Sequence, residues 1–161
     1  MLSDFIVRRA TVADREAVLR VAGEGMGEFG LVPDFAGLDV ELGRLGEDRV
    51  GAVAEFVAVV GGTVCGSVII SAMEGRVGKL SGFYVNKAYR GHAIGRALLQ
   101  AAVEAARGAG LARLYLETWG RMNAAVRLYE STGWVRGEDL PISRGADRSY
   151  WLELGEPRNC T

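Results

Sequence analysis

Val85-Asn86-Lys87-Ala88-Tyr89-Arg90-Gly91-His92-Ala93-Ile94-Gly95-Arg96-Ala97-Leu98-Leu99 is the stretch on which the reading of this chain turns. An apolar strand ending at Val85 runs into a polar loop carrying Arg90 and Gly91. That loop opens a long segment, Ile94 to Ala109, rich in Ala, Leu, Gln, Arg and Glu and free of proline, which predicts a helix. Gly108 and Gly110 end it. Such a strand–loop–helix unit is an anion cradle. The backbone N–H groups of the loop and the positive end of the helix dipole converge on one spot. Gly91 and Gly95 let an anion come close to the main chain. The same glycines also suit a turn and close helix–sheet packing, so the loop alone leaves both readings open. It is not a Walker loop, because Gly-Lys-Ser/Thr is absent, and it contains no Gly-x-Gly-x-x-Gly of the dinucleotide type.

Outward from this unit, strands dominate the N-terminal side. Lys79 to Val85 is the strand feeding the loop. Ala54 to Val60 and Val64 to Ser71 are rich in Val and Ile and flank Gly61-Gly62-Thr63, which predicts a hairpin. Phe5 to Arg9 predicts a first strand. A helix follows Thr11, with Val18, Val21 and Ala22 at helical spacing. Gly23 to Gly37, glycine-rich and holding Pro33, reads as a loop or a broken helix, and Leu38 to Leu45 as a second short helix. On the C-terminal side come a strand (Leu114 to Thr118), a helix (Asn123 to Thr132, stopped by Gly133) and two closing strands, Trp134 to Arg136 and Ser149 to Leu154. The order β-α-α-β-β-β-α-β-α-β-β predicts a mixed α+β domain, its sheet covered by helices on both faces.

The totals narrow the chemistry. A chain of 161 residues, 49% hydrophobic and 24% charged, suits one globular domain spanning 1–161. The net charge of −1 excludes attraction to nucleic acid or an anionic membrane through overall charge. A single histidine, His92, rules out a multi-His metal site, and a Ser-His-Asp triad would have to use that loop residue. Two cysteines, Cys65 in an apolar run and Cys160 near the end, do not form a disulfide framework and point to a reducing compartment. The N-terminal residues lack a basic start followed by a long apolar run. No stretch approaches the length of a membrane span, so the expected location is cytoplasmic.

Two segments resemble the GNAT superfamily of N-acetyltransferases. Arg90-Gly91-His92-Ala93-Ile94-Gly95 is similar to the family's acetyl-CoA signature Arg/Gln-x-x-Gly-x-Gly/Ala, with Ala93 in place of the first glycine. Some 30 residues on, Met122-Asn123-Ala124-Ala125-Val126-Arg127-Leu128-Tyr129-Glu130 followed by Gly133-Trp134 resembles Asn-x-x-Ala-x-x-Leu-Tyr-x-x-x-Gly-Phe, with Met122 at the usual Asn place and Trp134 for Phe. The resemblance runs from Phe5 to Leu154 in matching element order. It implies the GNAT fold, a central mixed, mostly antiparallel sheet of six to seven strands flanked by helices. It further implies acetyl transfer from acetyl-CoA to a primary amine by direct attack in a ternary complex, with no metal.

By that resemblance, backbone groups of Phe83, Tyr84 and Val85 and the loop Arg90, Gly91, His92, Ala93, Ile94, Gly95 and Arg96 hold acetyl-CoA, and Asn123 either joins them or caps the last helix. Gly82 suits a bulge that opens the strand edge. Tyr129 matches the tyrosine that protonates the leaving thiolate, although its helix face also carries Ala125, Leu128 and Thr132, which is compatible with a purely structural place. Glu117 is the first candidate for the base, with a water held by Ser81 as another route; a solvent-facing or ion-paired Glu117 fits the alternation equally. Acceptor contacts are expected from Glu28, Trp119 and Arg121, with Glu24, Asp34 and Arg144 nearby, all of which also suit a solvated surface. GNAT relatives are often dimers, so a homodimer stands among the expectations. Two other functions share the loop: an acyl-CoA-binding sensor or interaction module of the same fold without turnover, and a nucleotide- or phosphate-binding regulator.

Overall fold

The computed structural model describes residues 4–91, 93–137 and 146–155. Seven strands form one sheet in the order β1-β2-β3-β4-β5-β7-β6. They are β1 (Phe5–Arg9), β2 (Ala52–Val60), β3 (Thr63–Ala72), β4 (Val77–Val85), β5 (Arg113–Thr118), β6 (Val135–Gly137) and β7 (Arg148–Glu153). All neighbours are antiparallel except β4 and β5, which run parallel. The helices are α1 (Arg15–Gly27), α2 (Val40–Gly43), α3 (Ile94–Gly108) and α4 (Asn123–Ser131). The mixed, mostly antiparallel seven-stranded sheet and the order of elements are those expected from the sequence.

Two cores sit on opposite faces of the sheet. On one face, Ile94, Leu98, Leu99, Ala102 and Ala106 of α3 and Val126 and Tyr129 of α4 pack on Val68, Ile70, Leu80, Leu114 and Leu116. The spacing of the α3 residues is that of one helical stripe, which is why this segment is a helix lying on a sheet. On the other face, Val18, Ala22 and Met26 of α1 and Leu42 of α2 pack on Val57, Val59 and Ile69. The connection from α2 to β2 is tied down by polar contacts. Arg15 donates to Leu45 O at 3.0 Å, and Arg49 bridges Glu41 (2.6 Å) and Glu55 (2.9 Å).

Two expectations are corrected. The glycines from Gly23 onward do not break the first helix, which continues to Gly27. Their cost to a helix, about 1 kcal/mol each, is offset by packing, because α1 lies so close to β4 that a Cβ on Gly25 would stand 2.8 Å from Tyr84 Cδ1. The loop begins only at Glu28, and the second helix is a single turn, shorter than the expected Leu38 to Leu45.

The site is positioned by a break in the sheet. β4 and β5 pair only at Val77–Arg113, Gly78–Leu114 and Lys79–Tyr115. Beyond Lys79 the strands part. On its other edge β4 stays paired with β3, but the register slips between Ser67–Tyr84 and Ile69–Ser81. The extra residue is a bulge at Gly82, whose φ of +58° favours glycine and whose carbonyl accepts a hydrogen bond from Ser67 Oγ at 2.7 Å.

Candidate active site

Two cavities meet at this break. The first, of about 360 Å³, lies between the ends of β4, α3 and α4. Its walls include Phe83, Tyr84, Val85, Arg90, Gly91, Ala93, Gly95, Arg96 and Asn123. That size is within the range of small-molecule sites. The loop that lines it has the geometry of an anion cradle. Gly91 has φ +83° and open space where a Cβ would stand. Ala93 is in the left-handed region (φ +66°, ψ 8°) as the residue capping α3, and it makes no side-chain cap bond. Ile94, Gly95 and Arg96 of the first turn line the cavity, the cap residue offers their N–H groups no side-chain acceptor, and the first turn holds no acidic residue. Ala93, at the place of the signature's first glycine, thus holds a conformation that glycine adopts more readily, at the cost attached to a Cβ there. His92, also expected in the loop, lies outside the described residues.

Arg90 is placed differently from a simple phosphate ligand. Its Nε donates to Val85 O (3.0 Å), and its two terminal nitrogens donate to Glu28 Oε2 and Oε1, both at 2.8 Å. The guanidinium therefore braces the end of β4 against the segment after α1, and it holds the Glu28 carboxyl below the usual carboxylate range. Arg96, exposed in the first turn of α3, is the other cation on this wall among the described residues. Glu28, expected at the acceptor, is joined to the cofactor-side loop instead. Arg121 likewise reaches back, donating to Phe29 O at 2.9 Å with its guanidinium over the Phe29 ring. Asn123 is the first residue of α4. The cap position is Met122, without a side-chain bond, so the capping alternative for Asn123 does not hold.

The second cavity, of about 180 Å³, passes through the gap between β4 and β5. Met26, Leu31 and Asp39 line it on the α1 side, Lys79, Ser81, Glu117 and Trp119 along the strands, and Met122 and Tyr129 on the α4 side. Phe83, Tyr84, Met122 and Ala125 are shared with the first cavity. Tyr129 is buried among Phe83, Tyr150 and Trp134, with ring centroids 5.8 to 6.0 Å apart. Burial, followed by the neighbouring Tyr84 and Tyr150 hydroxyls, pushes its pKa above that of an ordinary tyrosine, so it carries its proton throughout the neutral range. Glu117, on the face of β5 opposite to α4, accepts a hydrogen bond from Tyr115 Oη at 3.1 Å. Burial and the Glu117 charge raise the Tyr115 pKa in turn. Of the other acceptor-side candidates, Arg144 lies outside the described residues, while Glu24 meets Asn86 at 3.4 Å and Asp34 accepts from Leu38 N at 3.2 Å.

Sequence reasoning passed over Lys79, Asp39 and Met122 as lining residues. Lys79 and Ser81 share one face of β4 by simple alternation, which was a readable signal. The place of Asp39, in the turn before α2, depends on tertiary packing and had none.

Comparison with known proteins agrees with this geometry. The model of the acetyltransferase (GNAT) family matches residues 33–134. The chain is 31% identical over 134 residues to the uncharacterized N-acetyltransferase YjgM of Escherichia coli K12, covering 80% of each protein. In fold it is similar to a GNAT-family acetyltransferase of Staphylococcus aureus Mu50 (TM-score 0.84, 17% identity, 94% of this chain and 99% of that one). It is also similar to the PaiA N-acetyltransferase of Thermoplasma acidophilum solved in complex with coenzyme A (TM-score 0.70, 14% identity, 93% and 99%). With its family signature seated in a matching fold, this chain belongs to the GNAT acetyltransferase family.

Proposed function

We propose that the protein transfers an acetyl group from acetyl-CoA to a primary amine, in a ternary complex whose two reactants enter from opposite faces of the sheet. The observation that carries this reading is the pair of cavities meeting at the β4–β5 gap, with Tyr129 and Glu117 both on the walls of the one that threads it. The residues present fit the donor. The uncapped first turn of α3, the open backbone at Gly91 and the Arg96 side chain would hold the pyrophosphate, and the β4 edge left unpaired beyond Lys79 would hold the pantetheine arm. Acetyl-CoA supplies the activated acetyl group and leaves as the free thiol.

The side chains of this chain then divide the proton work. The acceptor arrives as an ammonium ion, and Glu117 takes one proton so that the nitrogen lone pair becomes available for attack on the acetyl carbon. As the new C–N bond forms and the C–S bond breaks, the sulfur gains the Tyr129 proton, the second proton of the nitrogen passes through water to restore Tyr129, and Glu117 releases the first proton to solvent, so the net reaction sets one proton free. Tyr129, neutral and buried, keeps a proton at Oη for the departing sulfur. Backbone N–H groups along Phe83 to Val85 stabilise the negative charge that develops on the acetyl oxygen. Trp119, Met26 and Leu31 limit water access to the acceptor side.

The test is acetyl-CoA titration by calorimetry, followed by thiol release with a panel of primary amines. Selective binding of CoA species over ATP and NAD, with amine-dependent thiol release reduced at least a hundredfold in Tyr129→Phe, supports the reading. Binding without thiol release for any amine would instead favour an acyl-CoA-binding module. Equal binding of ATP or NAD would refute both.

A further inference from the structure

Among the described residues, Phe83, Tyr84, Met122 and Ala125 line both cavities and so form the neck between them. Three of these side chains are set by their surroundings. The Phe83 ring packs in the α3–α4 core with its centroid 6.0 Å from that of Tyr129. The Tyr84 ring lies against α1, so close that a Cβ on Gly25 would stand 2.8 Å from it. Ala125 has no side-chain torsion to turn. Met122 is different. Its backbone is fixed, because its N–H donates to Trp119 O at 3.0 Å and its carbonyl accepts from the Val126 N–H at 3.0 Å. Its side chain is a half-buried, unbranched thioether that adapts through several torsions. A polar contact holds it in place: Thr118 Oγ1, buried at the end of β5, donates to Met122 Sδ at 3.7 Å.

We infer that Met122, tethered by Thr118, sets the acyl-chain selectivity of the transfer, admitting acetyl and excluding longer chains; this rests on the acetyltransferase reading above. In that reading the thioester sulfur comes from the first cavity and the amine from the second, so the acyl carbon lies in the neck. Its oxygen turns to the N–H groups along Phe83 to Val85 on β4. A trigonal carbon with its sulfur and oxygen so directed points its alkyl substituent away from β4, toward the α4 wall of the neck, which is Met122 and Ala125. An acetyl group ends there in a methyl. A butyryl group carries its chain further, into the volume that Met122 fills with Cγ, Sδ and Cε. A methylene too many against a packed apolar wall costs about tenfold or more in kcat/KM. The Thr118 bond makes the wall firm, since it holds a thioether that would otherwise swing aside.

The experiment measures calorimetric binding and amine-dependent thiol release with acetyl-, propionyl- and butyryl-CoA. The proteins are wild type, Met122→Ala, Met122→Leu and Thr118→Val, each checked for folding by urea unfolding. In wild type, acetyl-CoA should exceed butyryl-CoA by about tenfold or more in kcat/KM. Met122→Ala should raise the butyryl-to-acetyl ratio by about tenfold or more. Met122→Leu, which keeps the volume, should leave it within about threefold of wild type. Thr118→Val, similar in shape but without the donor, should raise it about threefold. A wild type that uses butyryl-CoA as well as acetyl-CoA, or a ratio unchanged in Met122→Ala, would overturn the assignment. A substitution that only loosened the fold would lower all three donors together and leave the ratio unchanged, so that outcome counts against it as well. If Met122→Ala does not fold, an unchanged ratio in Thr118→Val overturns it instead. Protein that turns over acetyl-CoA with an unchanged ratio refutes the role of Met122 and leaves the acetyltransferase reading in place. Protein that binds acyl-CoA without thiol release refutes the transfer, and the ratio of Kd values then decides Met122. Protein that binds no acyl-CoA refutes both.

Discussion

Replacing Ala93 by glycine should make the protein more stable, which is the reverse of what the same change does in an ordinary helix. Ala93 has φ +66° and ψ 8°, and its side chain is exposed on the cavity wall, so its methyl contributes little packing. An L-residue in this region costs roughly 1–2 kcal/mol. Glycine removes that cost but gives the unfolded chain more freedom, worth roughly 0.4–1 kcal/mol. The net gain is about 0.5–1 kcal/mol, or a Tm rise of about 1–4 °C for a domain of this size. Ala97, four residues on in α3 and donating its N–H to Ala93 O at 3.1 Å, is the internal control. Ala97→Gly should lower stability by about 1 kcal/mol. Both are measured by urea unfolding, with acetyl-CoA affinity measured in parallel. The Ala93→Gly protein should bind acetyl-CoA at least as tightly as wild type, because the methyl leaves the cradle while the backbone stays. If Ala93→Gly destabilises the protein by as much as Ala97→Gly does, the left-handed conformation at residue 93 is wrong, and the cradle built on it falls as well.

Three further outcomes follow from single contacts. Gly25→Ala sets a methyl 2.8 Å from the Tyr84 ring and should cost roughly 1–3 kcal/mol in thermal unfolding, with weaker acetyl-CoA binding because Tyr84 lines both cavities. Asp14 accepts two bonds from Arg8, at 2.8 and 2.9 Å, and one from Thr11 N at 2.8 Å, and the Arg8 bond above all lowers its pKa. Asp14→Asn should therefore cost roughly 1–2 kcal/mol at pH 7. A carboxyl with a depressed folded pKa stabilises above its unfolded value of about 4, so the gap between wild type and variant should close as pH falls below that and through the lower folded value. Because burial raises the Tyr129 pKa and the proposed proton donor acts in its neutral form, kcat should not decline between pH 7 and about pH 10; a fall with a midpoint near 9 would argue against Tyr129 as the proton donor.

How much of this was legible in the sequence depends on how local the cause is. The α3 stripe, the Gly61-Gly62 hairpin and the strand feeding the Arg90 loop rest on periodicity and turn chemistry within a few residues, and they appear within two residues of where those signals place them. The continuation of α1 through Gly23 and Gly25 was not readable. Its cause, the Tyr84 ring pressed on the helix, is some sixty residues away in the chain. The same holds for the acceptor side. Glu28 and Arg121 looked like free charges because their partners, Arg90 and the Phe29 carbonyl, are joined to them only by the fold. Side chains on β4 and β5 were easier, because strand alternation alone puts Lys79 and Ser81 together on one face, and Tyr115 and Glu117 together on one.

Alternation also explains why the bulge at Gly82 matters more than its one residue. Leu80 faces the α3–α4 core, so strict alternation would send Phe83 to the α1 face and Tyr84 to the α4 face. The observed arrangement is the opposite. Phe83 and Val85 pack in the α3–α4 core and Tyr84 packs against the α1 side. The register slip against β3 is the reason, since two residues of β4 oppose one of β3 at that point. The reversal brings Phe83 within 6.0 Å of Tyr129 and places Tyr84 under Gly25, so both become walls shared by the two cavities. A Cβ at residue 82 would stand 2.9 Å from Ile69 Cδ1 with φ at +58°, so no other residue holds this bulge without strain. The exchange of Phe83 and Tyr84 and the walls they share between the two cavities are thus one structural event, fixed by Gly82 and anchored by Ser67 Oγ on its carbonyl.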